Sequence, residues 1–75
     1  MKITIEKDIN GNYNPATMEI TDLKWAISQA KKFISISNTE IKWFFSWTTQ
    51  LVREKAKNRL YYWEDILKKL EELNK

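Results

Sequence analysis

Glu64-Asp65 and Glu71-Glu72 are the adjacent carboxylates of this chain, and paired acids are the first place to look for general acid and base chemistry. On a helix, neighbouring side chains project about 100° apart, so neither pair converges on one reacting atom. Glu64 with Lys68 and Asp65 with Lys69 have instead the i,i+4 spacing of ordinary helix ion pairs. Nucleophilic chemistry fares no better. Ser28, Ser35, Ser37 and Ser46 have no histidine to activate them, because the chain contains none, and no cysteine supplies a thiolate. The same two absences remove the common ligands of zinc. Gly11 is the only glycine, so neither a phosphate-cradling loop nor a dinucleotide fingerprint can be built. No run of acids has the spacing of a calcium loop. These residues point away from an enzyme, a metal site, a cofactor or a small-molecule substrate, and toward a protein that acts by binding.

The binding chemistry on offer is aromatic. Trp43-Phe44-Phe45-Ser46-Trp47 places four large rings within five positions of a 75-residue chain. At helical spacing, Phe44 and Phe45 fall in line with Ile41, Thr48, Leu51 and Val52, which makes them core candidates. Trp43 and Trp47 sit on the flank of that stripe, where they either cover the hairpin and first helix or face a partner. Trp25 lies opposite the stripe formed by Leu23, Ile27 and Ala30, and Tyr61 lies opposite Trp63. Trp25, Trp43, Trp47 and Tyr61 together exceed what one small core needs, and Trp and Tyr dominate interface hot spots. They are the predicted partner-binding residues, for a partner protein.

Charge supplies a second reading. The net charge is +3, and its excess lies in the middle: residues 38–59 hold five basic side chains against two acids. Lys42, Arg53, Lys55, Lys57 and Arg59 would then neutralise phosphates while an aromatic ring stacks on an unpaired base, making a nucleic-acid binder. Rotation counts against it, since Arg53 and Lys57 point one way and Lys55 and Arg59 another. A third reading is self-association to a homo-oligomer through a seam of Leu60, Trp63, Leu67 and Leu70.

The elements that must carry these residues read as an α+β fold, mostly helical. Residues 1–20 form a β-hairpin: KITIEKDI alternates apolar and polar positions up to Asn10-Gly11, a two-residue turn signal. That turn pairs Ile9 with Asn12, Ile5 with Ala16 and Ile3 with Met18, so Ile3, Ile5, Ala16 and Met18 share a side that Ile20 continues. Asn12-Tyr13-Asn14-Pro15 is turn-like and is the expected place for a bulge. A lone hairpin is marginal, so its apolar side must lie on a helix. Thr21 or Asp22 caps a first helix over residues 22–35. Ser37-Asn38-Thr39-Glu40 has the form of a capping box, with Ile36 and Ile41 as its hydrophobic staple, and predicts a new start at residue 38. From there residues 38–74 form one long helix or a helix pair, broken near residue 57 where Lys55 and Arg59 interrupt the apolar stripe. The hairpin would then pack on two or three helices in a single domain spanning residues 1–75.

MKITIEKD carries charge where a signal peptide needs an apolar run, and no stretch approaches the roughly 20 apolar residues of a membrane span. The expected location is cytoplasmic, without a membrane partner. A short chain heavy in Lys, Ile and Asn is also the kind that an AT-rich genome, or a phage or plasmid of such a host, encodes. Small enzyme-free proteins of that setting inhibit or regulate a larger host machine, an association of composition rather than of mechanism.

Overall fold

The computed structural model describes the backbone of residues 1–44 and 49–75, and the side chains of all of these except residue 44. Two antiparallel strands, β1 (Lys2–Lys7) and β2 (Tyr13–Glu19), precede two helices, α1 (Leu23–Phe44) and α2 (Gln50–Leu73). The chain is therefore a hairpin followed by helices and mostly helical, with two helices rather than three among the described residues.

The turn differs from the expected one. Gly11 N–H donates to the Asp8 carbonyl at 3.0 Å and Asp8 N–H to the Asn12 carbonyl at 2.9 Å, which closes a three-residue loop of Ile9, Asn10 and Gly11. A two-residue type I′ turn would need positive φ at both Asn10 and Gly11, yet among the described residues only Gly11 has it, at 86°. Asp8 explains the choice: its Oδ1 accepts from Asn10 N–H at 2.9 Å and Asn12 N–H at 3.0 Å, the local bonding that favours Asp at the start of a type I turn. Ile9 therefore does not face Asn12.

The longer loop shifts the pairing by one residue, and β2 shifts it back. Lys7 pairs with Tyr13 but Ile5 with Ala16, so Glu6 stands opposite both Asn14 and Pro15. This bulge falls where the turn-like residues predict it, and it accommodates a proline that cannot donate to the ladder. Beyond it Ile3 pairs with Met18, as expected, and both Ile3 and Ile5 are buried. Ala16 and Met18 are not, because α2 lies under β1 and leaves β2 exposed along its whole length.

The first helix starts as predicted and ends elsewhere. Asp22 Oδ1 accepts from Trp25 N–H at 3.0 Å, a side-chain N-cap. The helix then runs through Ser37-Asn38-Thr39-Glu40 to Phe44, nine residues beyond the expected end. No capping box forms: Ser37 is buried inside α1, and Thr39 Oγ1 donates to the Ser35 carbonyl at 3.1 Å. Glu40 reaches across to Arg59, and Ile36 is exposed rather than stapled. A cap contributes only about 1 kcal/mol. Continuing the helix keeps its backbone bonds and lays Ile34, Ser37 and Ile41 along the side that also carries Ala30, which is worth more.

The predicted break near residue 57 is likewise absent, and α2 is continuous from Gln50 to Leu73. Ala56, fully buried, fills the gap in the apolar stripe, and Arg59 turns the interruption into an interhelical ion pair with Glu40 at 3.2 Å. Thr49 caps α2, with its side chain accepting from Val52 N–H at 3.5 Å. The two helices are antiparallel: Glu40 meets Arg59, and Phe33 stacks on Trp63 with centroids 4.5 Å apart. Both halves of α2 thus have a neighbour in their own chain. One buried cluster joins Ile3, Ile5, Ile20, Ala30, Ile66 and Leu70, with Leu23, Ala26, Ile27, Trp63 and Leu67 packed against it.

Two contacts seat the hairpin on α2. Lys69 Nζ donates to the Thr4 carbonyl, and Asn58 Nδ2 donates to the Asn10 carbonyl at 2.9 Å. The second fixes Gly11 twice over, since a Cβ there would stand 3.0 Å from Asn58 Cγ in addition to the strained φ.

Candidate docking face

The side of α1 opposite its buried residues carries the largest exposed apolar groups of that helix. At about 100° per residue, Trp25, Ile36 and Trp43 fall within about 20° of one line, while Ala30, Ile34 and Ile41 point the other way. Trp25 and Trp43 are each 63% exposed and Ile36 is 43% exposed. The line is about 27 Å long by helical rise. Near its far end, Ile36 and Trp43 form the apolar walls of a shallow recess with Ser35, Thr39 and Glu40. The surface is held rigid from behind: Asp22 caps the helix start, Phe33 stacks on Trp63, and Glu40 pairs with Arg59. Exposed tryptophans held on a rigid helix cost little side-chain entropy when they dock, which is what makes such rings effective anchors.

Of the four predicted partner-binding residues, the fold therefore brings Trp25 and Trp43 onto one surface. Tyr61 does not join them. It is exposed on α2 and lines a separate recess with Glu6, Asp8, Asn58 and Asp65, beside the hairpin tip. Trp47 lies outside the described residues. Ile36 was missed as a surface residue because the capping-box reading assigned it to a staple. Its 11-residue and 7-residue spacings from Trp25 and Trp43 were the available signal, once the helix is taken as unbroken.

The basic residues do not converge. Lys42 stands on the exposed side of α1. Arg53 and Lys57 line a recess between the two helices with Ile41, Gln50 and Glu54. Lys55 is exposed in another direction, and Arg59 is engaged by Glu40. The self-association seam is filled from within: Trp63, Leu67 and Leu70 belong to the chain's own core cluster.

No family model matches the sequence, and neither the curated proteins nor the solved structures include a significant match to it.

Among the described residues no group of acids is placed to hold a metal ion, and no helix is long and apolar enough to cross a membrane. Asp65 pairs with Lys69 at 3.7 Å, as its i,i+4 spacing predicts. Ser28 and Lys31 have the Ser-x-x-Lys spacing of a serine–lysine pair. Both side chains are exposed, whereas a lysine that serves as a base in such a pair is desolvated.

Proposed function

We propose that this protein is a non-enzymatic binding module that docks the outer face of α1 on a partner protein. The observation that carries this reading is the alignment of Trp25, Ile36 and Trp43, all exposed, on the side of the helix that its own core does not use. Three large apolar groups share one side of a helix over about 27 Å, so a partner could meet all three along one line. The sheet is a poorer docking edge: β2 carries Pro15 and a bulge, both of which discourage strand addition. A role as an inhibitor or regulator of a larger protein fits a chain that offers a docking surface and no catalytic constellation.

The test is a paired capture with tagged wild-type chain and a Trp25→Ala, Trp43→Ala variant. One stoichiometric protein held by the wild type and lost by the variant is the expected result. If the variant retains the same protein, the α1 face is not the docking surface. Retention by both of nucleic acid, released as salt rises, would favour the phosphate-binding reading instead.

A further inference from the structure

Asparagine is among the heat-labile residues, because its side-chain amide can be attacked by the backbone nitrogen that follows it. Access to that nitrogen decides which asparagines react. Of the six in this chain, Asn14 precedes Pro15, which has no N–H to ionise. Asn12, Asn38, Asn58 and Asn74 precede residues whose Cβ shields the nitrogen. Asn10 alone precedes glycine, which has no Cβ. It is also exposed, at the tip of the hairpin.

The peptide unit that would react is pinned at both ends. Gly11 N–H, whose nitrogen is the nucleophile, donates to the Asp8 carbonyl at 3.0 Å. The Asn10 carbonyl, in the same planar unit, accepts from Asn58 Nδ2 at 2.9 Å. Asn10 N–H in turn donates to Asp8 Oδ1 at 2.9 Å. To reach Asn10 Cγ, the Gly11 nitrogen must lose its proton and turn about the Asn10 Cα–C bond. A planar unit cannot turn at one end only, so the bonds to Asp8 and Asn58 break together. Asn58 belongs to α2 and lies 48 residues further along the chain. The seating of the hairpin on α2 therefore adds to the barrier that the turn itself sets.

We propose that Asn10 is a site of spontaneous deamidation and that Asn58 is the latch that slows it. In the first step the Gly11 nitrogen gives its proton to solvent and bonds to Asn10 Cγ. The Cγ–Nδ2 bond breaks, and Nδ2 takes a proton from water and leaves as ammonia. The cyclic imide that remains is then opened by water. Cleavage of the new bond from nitrogen to Cγ gives aspartate. Cleavage between nitrogen and the backbone carbonyl carbon gives isoaspartate, with the main chain running through Cβ and Cγ. Nothing is oxidised or reduced. Isoaspartate lengthens a loop whose bonds fit three residues, and either product puts a carboxylate beside a recess that Glu6, Asp8 and Asp65 already line. The modified tip fits α2 less well than the original, and loss of ammonia makes the change one-way.

The experiment incubates the full chain in mildly alkaline buffer. Peptide mapping by mass spectrometry locates the modification, and enzymatic methylation measures isoaspartate. Wild type is compared with wild type unfolded in guanidinium chloride and with the variants Asn58→Ala, Asn58→Leu and Ile66→Val, whose folding is checked by circular dichroism. The unfolded chain should react at Asn10 ahead of every other asparagine. Folded wild type should react about ten-fold or more slowly, because two hydrogen bonds must break first. Each Asn58 variant removes one of them and should react about five-fold faster than folded wild type. Ile66→Val trims the core without touching the latch and should keep the wild-type rate. Equal rates in folded wild type and the Asn58 variants would overturn the latch. Equal acceleration by Ile66→Val would overturn it too, since the rate would then follow overall stability. An unfolded chain that reacts first at another asparagine would remove Asn10 as the site.

Discussion

Replacing Asn38 by proline separates two incompatible accounts of the middle of this chain. If residues 37–40 were a capping box, residue 38 would be the first residue of a new helix, the position where proline is most welcome because its N–H has no partner to lose. In the structure Asn38 is instead exposed within α1, six residues before Phe44. There, by α-helix geometry, its N–H belongs to the carbonyl four residues back, that of Ile34, and a proline ring would press on that carbonyl. The cost is about 3 kcal/mol or more. A 75-residue domain at roughly 0.05–0.15 kcal/mol per residue has about 4–11 kcal/mol in total, so Asn38→Pro removes a quarter to most of it. At about 4–8 °C per kcal/mol for a domain of this size, the melting temperature should fall by at least about 12 °C. Asn38→Ala serves as the control and should raise stability by about 0.5 kcal/mol, because alanine is the better helix former and the site is exposed. The assay is thermal and urea unfolding followed by far-ultraviolet circular dichroism. A proline variant that melts within about 2 °C of the parent would refute the continuous helix, given the expected drop. It would also dissolve the alignment of Trp25 with Trp43, which requires an unbroken α1 between them.

Two further predictions concern how the pieces are held together. Gly11→Ala should destabilise the chain by about 1–2 kcal/mol from its left-handed φ alone. It should cost more where Asn58 is present, because the new Cβ would stand 3.0 Å from Asn58 Cγ. In an Asn58→Ala background the extra cost should vanish, and equal costs in the two backgrounds, measured by urea unfolding, would mean that the hairpin tip is not seated on α2. The Glu40–Arg59 pair is about one-third exposed on each side, so a Glu40→Gln, Arg59→Met double-mutant cycle should give a coupling of about 0.5–1 kcal/mol. That coupling should fall by half or more at about 1 M salt. A coupling of zero at low salt would remove the account of why α2 continues through its polar interruption.

Several parts of this architecture were legible because they rest on short-range rules. Alternation in residues 2–9 placed Ile3 and Ile5 on the buried side, the turn-like residues before Ala16 marked the bulge, and Asp22 marked the helix start. The turn type was misread because Asn-Gly is such a strong two-residue signal. Asp8, with a carboxylate able to bond two backbone amides, selects the three-residue loop, and the bulge then restores the pairing that the shorter turn would have given. The site was half legible. Trp25 and Trp43 stood out as surplus rings, but Ile36 was hidden by a local motif that does not operate.

By itself, the sequence determined the element types, the buried side of β1, the first helix cap and the lack of histidine and cysteine chemistry. These follow from residue identity and from contacts within a few positions. Tertiary structure decided where the helices end, because the preference of Ser37-Asn38-Thr39-Glu40 for a helix start is worth about 1 kcal/mol and yields to packing along α2. It also brought Glu40 against Arg59 across the two helices. The line of Trp25, Ile36 and Trp43 depends on the first outcome: three residues spread over nineteen positions share one face only when packing keeps the helix between them unbroken.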